Sequence, residues 1–418
     1  MRILIYGLNY APELTGIGKY TGEMAVWLAE RGHEVHVVTA PPYYPAWRIR
    51  EDYRGTWYRT ERAPGQPLVH RTPLYVPEKP TGIKRIVHLV SFMLGSLPVM
   101  VREMFWHPDV VFTVEPTFFC APLTLFIGKS AGAACWLHVQ DFEVDAAFEL
   151  GLLPAQGPVH DGALRIEKFF TFAFDRVSGI SSRMVDRALA KGIPAGHVVL
   201  FPNWVDVDTI YPLDPVANRS NSFRRDLASR IPDIEDKIIL LYSGNMGAKQ
   251  GLELLAPLAH SFVADSRVHF VFCGDGAFRS RLEALVSGHP NVTLLPLQPL
   301  ERLNDLLNSA DIHLLPQRAS AADLVMPSRL SAMLASGRPV IATAHPGTQV
   351  AQVVEDRGLA IPAEDDAALR AAVLLLVEDE DLRLHLGRAA REYAVAHLGK
   401  QQVLDQFELD LLELAGHS

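Results

Sequence analysis

Two short apolar runs that each end in glycine decide the fold: Arg2-Ile3-Leu4-Ile5-Tyr6-Gly7 and Ile238-Ile239-Leu240-Leu241-Tyr242-Ser243-Gly244. Each run is followed by a glycine-containing loop and then by a helical pattern. After the first run, apolar residues recur on one face of a helix at Tyr20, Met24, Trp27 and Leu28. Uniformly apolar strands that alternate with helices are typical of parallel sheets covered on both faces. The sequence therefore predicts two doubly wound, Rossmann-like α/β domains that face each other across a cleft.

The same strand-and-helix unit repeats through both halves of the chain. In the first half we expect further strands at 33–39, 109–113, 133–138, 176–180 and 198–201. In the second half we expect them at 268–274, 292–297, 311–316, 339–344 and 358–362. Phe201-Pro202-Asn203-Trp204 opens a Pro- and Ser-containing stretch, so we predict domains at 1–205 and 206–398. The last helix, at about 401–415, follows Gly399 and is compatible with either domain.

Composition and charge exclude several classes of protein. The 418 residues are 49% hydrophobic and 21% charged, which is typical of a globular chain with more than one domain. A formal net charge of −9 argues against general affinity for nucleic acid. Residues 1–200 carry 20 Lys and Arg against 19 Asp and Glu, whereas the remainder carries 19 against 29. Only the first half is therefore suited to an anionic surface. Three scattered cysteines form neither a disulfide framework nor a metal motif, which favours reduced thiols in the cytoplasm.

One apolar segment, 83–106, is a candidate for membrane contact. Its apolar run is shorter than the roughly 20 residues that a span needs, and His88 and Pro98 interrupt it. We therefore expect a buried helix of the first domain. The alternative is a helix that also touches an anionic membrane surface, where Lys84 and Arg85 would contribute. The chain start, with one basic residue and a short apolar run, does not match a signal peptide.

The loop after the first strand contains small residues in the pattern Gly16-x-Gly18-x-x-x-Gly22. These glycines lie about ten residues beyond the strand, and the second strand ends in Thr39-Ala40-Pro41 without an acidic residue. Both features argue against a dinucleotide-binding fingerprint. Small residues before a helix N-terminus still favour close approach of a phosphate or a sugar.

His138 ends a predicted strand and is followed closely by Gln140 and Asp141. A histidine at the carboxyl end of a parallel strand is well placed for contact with a polar ligand, although a buried structural role is the alternative. No second His or Cys stands at a ligand spacing nearby, so we expect no metal site here. Asp206-x-Asp208 follows the domain boundary rather than a core strand, and we expect a turn or capping role for it.

In the second half, four strand ends carry small, hydroxyl or basic residues. They are the stretches 244–251, Gly274-Asp275-Gly276, Pro327-Ser328-Arg329 and His345-Pro346-Gly347-Thr348. Each is weak alone, because turns favour these residue types. Together, at one edge of one sheet, they predict a binding site for a nucleoside diphosphate.

At these residues the sequence resembles the GT-B glycosyltransferases of family 4, and within them the colanic-acid (exopolysaccharide) fucosyltransferase-like branch. The resemblance covers essentially the whole chain. The stretches that carry it are Asn9-Tyr10-Ala11-Pro12-Glu13-Leu14-Thr15-Gly16-Ile17-Gly18-Lys19-Tyr20, Ala40-Pro41-Pro42-Tyr43-Tyr44-Pro45, His138-Val139-Gln140-Asp141-Phe142-Glu143-Val144-Asp145, Phe201-Pro202-Asn203-Trp204 and Leu324-Val325-Met326-Pro327-Ser328.

The resemblance implies transfer of a sugar from a nucleotide-sugar with retention at the anomeric carbon and without a metal cofactor. It implies GDP-fucose as donor, a saccharide on polyprenyl diphosphate as acceptor, and work at the inner face of the cytoplasmic membrane. It also implies that residues 399–418 return to the first domain. The implied catalytic residues are His138 and Asp141. The implied donor contacts are Gly16, Gly18, Asn245, Lys249, Gly274, Asp323, Ser328, Arg329, Gly347 and Thr348. The implied acceptor-side residues are Glu13, Tyr43 and Tyr44, and the implied membrane contacts are Lys84 and Arg85.

The sequence departs from the family pattern at several donor-side positions. Leu324 and Ala332 stand where the family commonly has two glutamates, and Asp323 is the nearest carboxylate. Asn245 replaces an arginine, and Gln250 stands at the family lysine, one residue after Lys249. Two alternatives therefore stay open on the same fold: a sugar-nucleotide epimerase and a nucleotide-sugar-binding protein without catalysis.

Overall fold

The computed structural model describes residues 1–13, 16–78, 82–115, 118–141, 157–214, 218, 221–247, 250–318 and 327–416. The chain divides into two compact units. The first unit comprises Met1–Pro202 together with Val403–Ser418, and the second comprises Asn203–Gln402. The chain thus leaves the first unit after Pro202 and re-enters it within its last helix.

The first unit is built on an eight-stranded sheet. Its strands are β1 (Arg2–Gly7), β2 (Glu34–Thr39), β3 (Arg59–Glu61), β4 (Leu68–Arg71), β5 (Val110–Val114), β6 (Ala134–Val139), β7 (Arg176–Gly179) and β8 (Val198–Leu200). They lie in the order β3-β4-β2-β1-β5-β6-β7-β8. All neighbours pair in parallel except β3 and β4, which are antiparallel. The strands predicted in this half are confirmed.

Strands β3 and β4 were not predicted. They form one edge of the sheet, are three and four residues long, and carry mostly polar or charged side chains. β3 is the edge strand and is largely exposed, so its sequence need not be apolar, whereas β4 lies between β3 and β2 and buries the polar His70 and Arg71 beside Val69. The short apolar run that identified the central strands is absent from them.

The helices of the first unit cover this sheet. They are α1 (Ile17–Glu30), α2 (Ile83–Met104), α3 (Ala121–Ala131), α4 (Pro158–Thr171) and α5 (Ser182–Ala190). The predicted apolar face of α1 is confirmed, because all four of its large side chains are buried. The last helix, Lys400–Leu414 (α14, counting the helices of the second unit), packs the ring of Phe407 on Phe201, 4.2 Å away and nearly parallel. Its Glu408 accepts hydrogen bonds from Arg31 and contacts His33.

The second unit is built on a fully parallel six-stranded sheet. Its strands are β9 (Ile238–Asn245), β10 (Val268–Asp275), β11 (Val292–Leu295), β12 (Ile312–Leu315), β13 (Val340–Thr343) and β14 (Gly358–Ile361). They lie in the order β11-β10-β9-β12-β13-β14, and each was predicted. The order reverses direction beside β9. In open α/β sheets, ligands bind beyond the carboxyl ends of the strands at such a reversal.

Eight helices of the described chain pack on this second sheet or beside it. They are α6 (Ser222–Ala228), α7 (Leu255–His260), α8 (Arg279–Leu285), α9 (Leu303–Ser309), α10 (Ser328–Ala335), α11 (Gln349–Val354), α12 (Asp366–Glu378) and α13 (Glu380–His397). Near the boundary, Asp206 Oδ1 accepts the backbone N–H groups of Asp208 and Thr209. The capping role predicted for Asp206 is therefore confirmed.

The helix predicted in segment 83–106 is confirmed, although His88 and Pro98 interrupt its apolar run in the sequence. Helix α2 runs unbroken for 22 residues, through both His88 and Pro98. His88 lies on the buried face of the helix, where its Nδ1 contacts the carbonyl oxygen of Tyr75, so it leaves the outer face apolar. By length and composition, α2 is the one helix in the described residues that is apolar enough to cross a membrane, with a third of its most apolar window buried. A core helix passes the same test, and α2 does pack on the first sheet through Leu89 and Phe92.

Candidate functional site

The loop after β1 is held by the buried carboxylate of Glu13. Its Oε1 accepts the backbone N–H groups of Tyr43 and Tyr44, both at 3.0 Å, and its Oε2 accepts Asn9 Nδ2 at 2.9 Å. Burial raises the pKa of Glu13, whereas these hydrogen bonds act to lower it. Glu13 therefore joins the loop after β1 to the loop after β2, and both carboxylate oxygens are engaged within the protein.

The two tyrosines assigned to the acceptor side differ in exposure. Tyr43 is buried, and its hydroxyl lies 3.2 Å from Nε2 of His88 on α2. Tyr44 is 42% exposed. Of the three acceptor-side residues predicted from the sequence, Tyr44 is thus the one that presents a ring to solvent, while Glu13 and Tyr43 shape the loops beneath it.

The glycines of this loop serve close packing. A Cβ on Gly18 would lie 2.7 Å from Glu13 Cβ, and a Cβ on Gly22 would lie 2.7 Å from Ala11 Cβ. Gly16, by contrast, precedes α1 with φ of 59°, and within the described residues, its chain neighbours aside, no heavy atom lies within 4 Å of the position of a Cβ there. Gly16 alone among them borders open space.

Arg71 is a structural residue of this region that the sequence did not reveal. Its guanidinium donates to the carbonyl oxygens of Ala40 and Ala11 and pairs with Glu61, and its side chain is 4% exposed. It thereby fastens the end of β2 to the loop after β1. An isolated arginine 60 residues from Ala11 gives no sequence signal of this contact.

His138 lies near the end of β6 in an aromatic environment. Its ring stacks on Phe112 at 5.6 Å and contacts Phe201 at 4.9 Å. Its Nδ1 lies 2.8 Å from Ser178 Oγ, which also accepts the indole N–H of Trp136. Burial lowers the pKa of His138 to about 3. The imidazole is therefore neutral at physiological pH, and one of its two nitrogens is engaged by Ser178.

Asp141, the other predicted catalytic residue, lies two positions beyond the end of β6 and is half-buried. The carboxylates at 143 and 145 lie outside the described residues.

In the second unit, β9 and β10 approach each other at their carboxyl ends. A Cβ on Gly274 would overlap the carbonyl oxygen of Gly244, so the register of these two strands requires glycine there. Gly276 is similarly restricted by Met246 and Asn245. Asn245 is exposed and pairs across the ladder with Asp275. The glycines thus bring the backbone of both strands together and leave Asn245 at the edge of the sheet.

Arg329 lies against this glycine edge in a fixed position. Its Nη1 donates to Tyr242 Oη at 2.7 Å, and its guanidinium lies over the Tyr242 ring at 4.9 Å. Tyr242 Oη in turn donates to the carbonyl oxygen of Asn245. A Cβ on Gly244 would be 3.6 Å from Arg329 Nη1. Arg329 is the second residue of α10, and Ser328 is the first, with no side-chain cap on the helix. A cation and uncapped helix N–H groups therefore meet beside β9, an arrangement that favours an anion.

Gln250 and Gln317 lie near this edge, and the sequence did not indicate that they form a pair. The Oε1 atoms of Gln250 and Gln317 are buried, and no donor in the described residues reaches either of them. Gly251 packs on the backbone of Gln317, so the two glutamines lie on adjoining loops. Gln317 follows Pro316 at the end of β12, and that position was its only sequence signal. Buried amide oxygens without a donor are suited to accept hydrogen bonds from ligand hydroxyl groups.

Four predicted donor contacts remain, together with the two positions at which the family commonly has glutamates. Thr348 caps α11: its hydroxyl accepts the Ala351 N–H and donates to the carbonyl oxygen of His345, while Gly347 provides the turn at φ of 85°. Ala332, at the position of the second family glutamate, packs half-buried against the apolar core. Lys249, Asp323 and Leu324 lie outside the described residues.

We predict that His138 makes the stability of the first unit depend on pH. An unfolded histidine has a pKa near 6.5, whereas burial holds His138 at about 3, so the unfolded chain binds a proton first as pH falls. Stability is therefore lost below pH 6.5, by about 2 kcal/mol between pH 7 and 5 from this group. His138→Gln should remove that part of the slope. Tryptophan fluorescence in guanidinium follows this unit, because five of the six tryptophans lie in residues 1–202.

His313→Gln is the matched control for this measurement. His313 is buried in the second unit and burial lowers its pKa to about 3 as well. Its replacement should leave the pH slope of the first unit unchanged. An unaltered slope in His138→Gln would show that His138 is not buried as a neutral imidazole.

Comparisons with known proteins place both units. Residues 15–204 match the family described as "Glycosyl transferase 4-like domain", and residues 237–379 match "Glycosyl transferases group 1". The chain is 41% identical over 422 residues to the "Putative colanic acid biosynthesis glycosyl transferase WcaI" of Escherichia coli K12, covering 98% of this chain and 100% of the relative. It is 24% identical to the N-acetyl-alpha-D-glucosaminyl L-malate synthase of Bacillus anthracis, covering 96% and 95% of the two chains.

Solved structures share the fold over the full length. The sucrose-phosphate synthase of Thermosynechococcus elongatus aligns with a TM-score of 0.73 at 19% identity, covering 100% of both chains. Anabaena HepE in complex with UDP and glucose aligns with a TM-score of 0.66 at 14% identity, covering 99% of this chain and 100% of HepE. With two α/β units, two matched glycosyltransferase domains and a full-length relative at 41% identity, the chain belongs to the GT-B glycosyltransferases of family 4.

Proposed function

We propose that this glycosyltransferase moves a sugar from a nucleotide-sugar, GDP-fucose by the resemblance, to a saccharide carried on polyprenyl diphosphate. The reaction would proceed with retention, without a metal, as a step in the synthesis of a colanic-acid-like exopolysaccharide. The relative named for colanic acid biosynthesis supports the pathway assignment. The observation that carries the donor site is the cradle formed by Arg329, Tyr242 and Gly244 at the start of α10.

The reaction first requires that the negative charge of the leaving diphosphate be stabilised. Charge develops on it as the bond to the sugar breaks, and a positioned cation with helix N–H groups stabilises that charge most when it needs no reorganisation. Arg329 satisfies this condition, because the hydroxyl and the ring of Tyr242 hold its guanidinium in place. In the proposed site Lys249 adds a second cation, and Ser328 and the N–H groups of α10 contact the phosphates.

The donor contacts of this chain are less charged than the family pattern. Where family members present an arginine, a lysine and two glutamates, this chain presents Asn245, Gln250, Leu324 and Ala332. The unpaired amide oxygens of Gln250 and Gln317 would accept hydroxyl groups of the ribose or the transferred sugar. In this proposal hydrogen bonding replaces charge for sugar recognition, while Arg329 keeps the phosphate contact.

Deprotonation of the acceptor hydroxyl is the second demand. A histidine whose pKa is about 3 is a weak base, so His138 is better suited to orient or polarise the reacting sugar than to accept the proton. In the proposed same-face attack, the acceptor oxygen forms the new bond to the anomeric carbon as the phosphate leaves. The departing phosphate oxygen then takes the acceptor proton, so that charges and protons balance.

We predict that Arg329→Ala weakens nucleotide-sugar binding by about 1.5–3 kcal/mol, the range for charge-assisted hydrogen bonds. Tyr242→Phe should weaken it less, since the cation remains but loses its anchor. Calorimetric titration with GDP-, UDP- and ADP-sugars measures both and identifies the base. Arg388→Ala, an exposed cation on α13, is the control and should bind like wild type. Unchanged affinity in Arg329→Ala would refute the cradle.

A transfer assay with a lipid-linked acceptor tests the proposed reaction through His138. His138→Ala should lower kcat by about 10²–10⁴-fold while donor affinity changes little, because Arg329 and the other proposed phosphate contacts belong to the other unit. The melting temperature is measured on the same preparation. A destabilised variant whose folded fraction keeps wild-type kcat would assign His138 to packing alone. Turnover of the nucleotide-sugar without acceptor would instead support the epimerase alternative.

We propose that the protein works in the cytoplasm and binds the inner face of the membrane peripherally through α2. The outer face of this helix exposes Ile83, Val87, Leu94 and Leu97 beside the exposed Lys84, with Arg85 half-buried. An apolar stripe flanked by cations is the pattern of helices that lie in an anionic interface.

Membrane binding should therefore depend on both salt and charge. Lys84→Glu/Arg85→Glu should lower the binding constant for anionic vesicles by at least about thirtyfold, because the two cations contribute about 1 kcal/mol each and reversal of their charge adds to the loss. Added salt should do the same to wild type. The control Arg370→Glu/Arg388→Glu reverses two exposed cations of the second unit and should sediment normally. Equal binding to neutral and anionic vesicles would contradict the electrostatic part of the proposal.

A further inference from the structure

Three metal-ligating side chains meet on the first unit at a place that the proposed sugar transfer does not use. They are His36 on β2, His70 on β4 and Glu103 on α2. Their ligand atoms all lie within 4.8 Å of one another. His36 Nδ1 is 2.6 Å from Glu103 Oε2, and His70 Nε2 is 3.3 Å from Glu103 Oε1. The side chains of His70 and Glu103 are 4% exposed, and that of His36 is 12% exposed.

Neighbouring side chains hold both imidazoles in place. Thr60 Oγ1 lies 3.0 Å from His70 Nδ1, and Arg102 Nη2 lies 2.9 Å from His70 Nε2, the nitrogen that faces Glu103. The ring of His36 stacks on Trp106 at 3.6 Å with an interplanar angle of 8°. Metal-binding histidines are characteristically oriented in this way by contacts of the outer shell.

Glu103 is charged and is balanced by a movable cation. Burial alone would raise the pKa of Glu103, but hydrogen bonds from His36, His70 and Arg102 hold it well below its usual range. The Arg102 guanidinium lies 2.9 Å from Glu103 Oε1, yet its side chain is 57% exposed. The Arg102 side chain can therefore rotate into solvent without opening a buried cavity, provided that another positive charge replaces it beside Glu103.

A cavity of about 220 Å³ adjoins the cluster and is lined in part by His70 and Arg102. It is large enough for several water molecules. A cation entering through it would reach His70 and Glu103 as Arg102 moves aside, and water would complete its coordination.

We propose that His36, His70 and Glu103 form a binding site for a divalent transition-metal ion of the zinc type. Two imidazole nitrogens and one carboxylate oxygen are a ligand set that zinc favours, with a fourth position open to water. On binding, the ion coordinates one unprotonated nitrogen of each neutral imidazole, and a proton carried there moves to the other ring nitrogen or to water. The ion then takes over the positive charge that Arg102 supplies beside Glu103. Strands β2 and β4 lie on the opposite side of β1 from β6, so the site is separate from His138 and from the sugar transfer.

The test is calorimetric titration of the EDTA-treated full-length protein with Zn²⁺ at pH 7.5. One high-affinity equivalent should bind to wild type, and His36→Ala and His70→Ala should each weaken binding by at least about tenfold. Co²⁺ should bind the same site and give the visible absorption of a nitrogen- and oxygen-ligated ion, lost in both variants. His260→Ala is the control, because it removes a surface pair with His289, 3.3 Å apart, and should change nothing.

Arg102→Met separates a metal site from a purely structural charge network, and it leaves the three ligands intact. Removing the competing cation should raise Zn²⁺ affinity by about tenfold or more, because Glu103 then pairs with the ion alone. Absence of Zn²⁺ binding to wild type, equal binding in the histidine variants, or weaker binding in a folded Arg102→Met would each overturn the proposal. Circular dichroism of every variant distinguishes lost ligands from lost fold.

Discussion

A buried carboxylate must be hydrogen-bonded, and in the first unit this constraint applies to Glu13. Its two oxygens collect donors from Asn9 and from the backbone of Tyr43 and Tyr44, on loops that follow different strands. Gly18 is needed because its helix passes directly against the Glu13 side chain. The arrangement of the loops after β1 and β2 therefore depends on one ionisable group, the Glu13 carboxylate. Its loss would leave two backbone N–H groups and an amide without their acceptor.

The same network reaches α2. His88 on that helix contacts the hydroxyl of Tyr43, and Tyr43 is bound to Glu13 through its backbone. The buried face of α2 and the loops at the carboxyl edge of the sheet are thus joined by two polar contacts. A displacement of α2, for example on binding a membrane, would be transmitted to Tyr43 first and to the exposed neighbour Tyr44 with it.

How much the sequence revealed depended on how far apart the interacting residues are in the chain. The central strands could be predicted because each is a continuous apolar run, and the site loops because they follow those runs. The carbonyl groups that Arg71 contacts lie 31 and 60 residues away in the chain. The histidines that contact Glu103 lie 33 and 67 residues away, and no local pattern marks either set. The edge strands β3 and β4 were missed for a related reason, since their polar side chains carry no burial signal. Local periodicity therefore predicts elements, whereas ion pairs between elements need the fold.

In the proposed reaction, the second unit would supply a charged group, Arg329, and the first unit would supply a neutral one, His138. On the donor side a guanidinium is fixed by an aromatic ring and a hydroxyl, so its charge faces the leaving group without first losing conformational freedom. On the other side the histidine is neutral and surrounded by Phe112, Trp136 and Phe201. A charged imidazole there would compete with the cationic character that the sugar acquires as its bond to phosphate breaks, whereas a neutral one does not. In the proposed reaction, in which His138 would contact the reacting sugar, its burial would favour a transition state with positive charge on the sugar and negative charge on the phosphate.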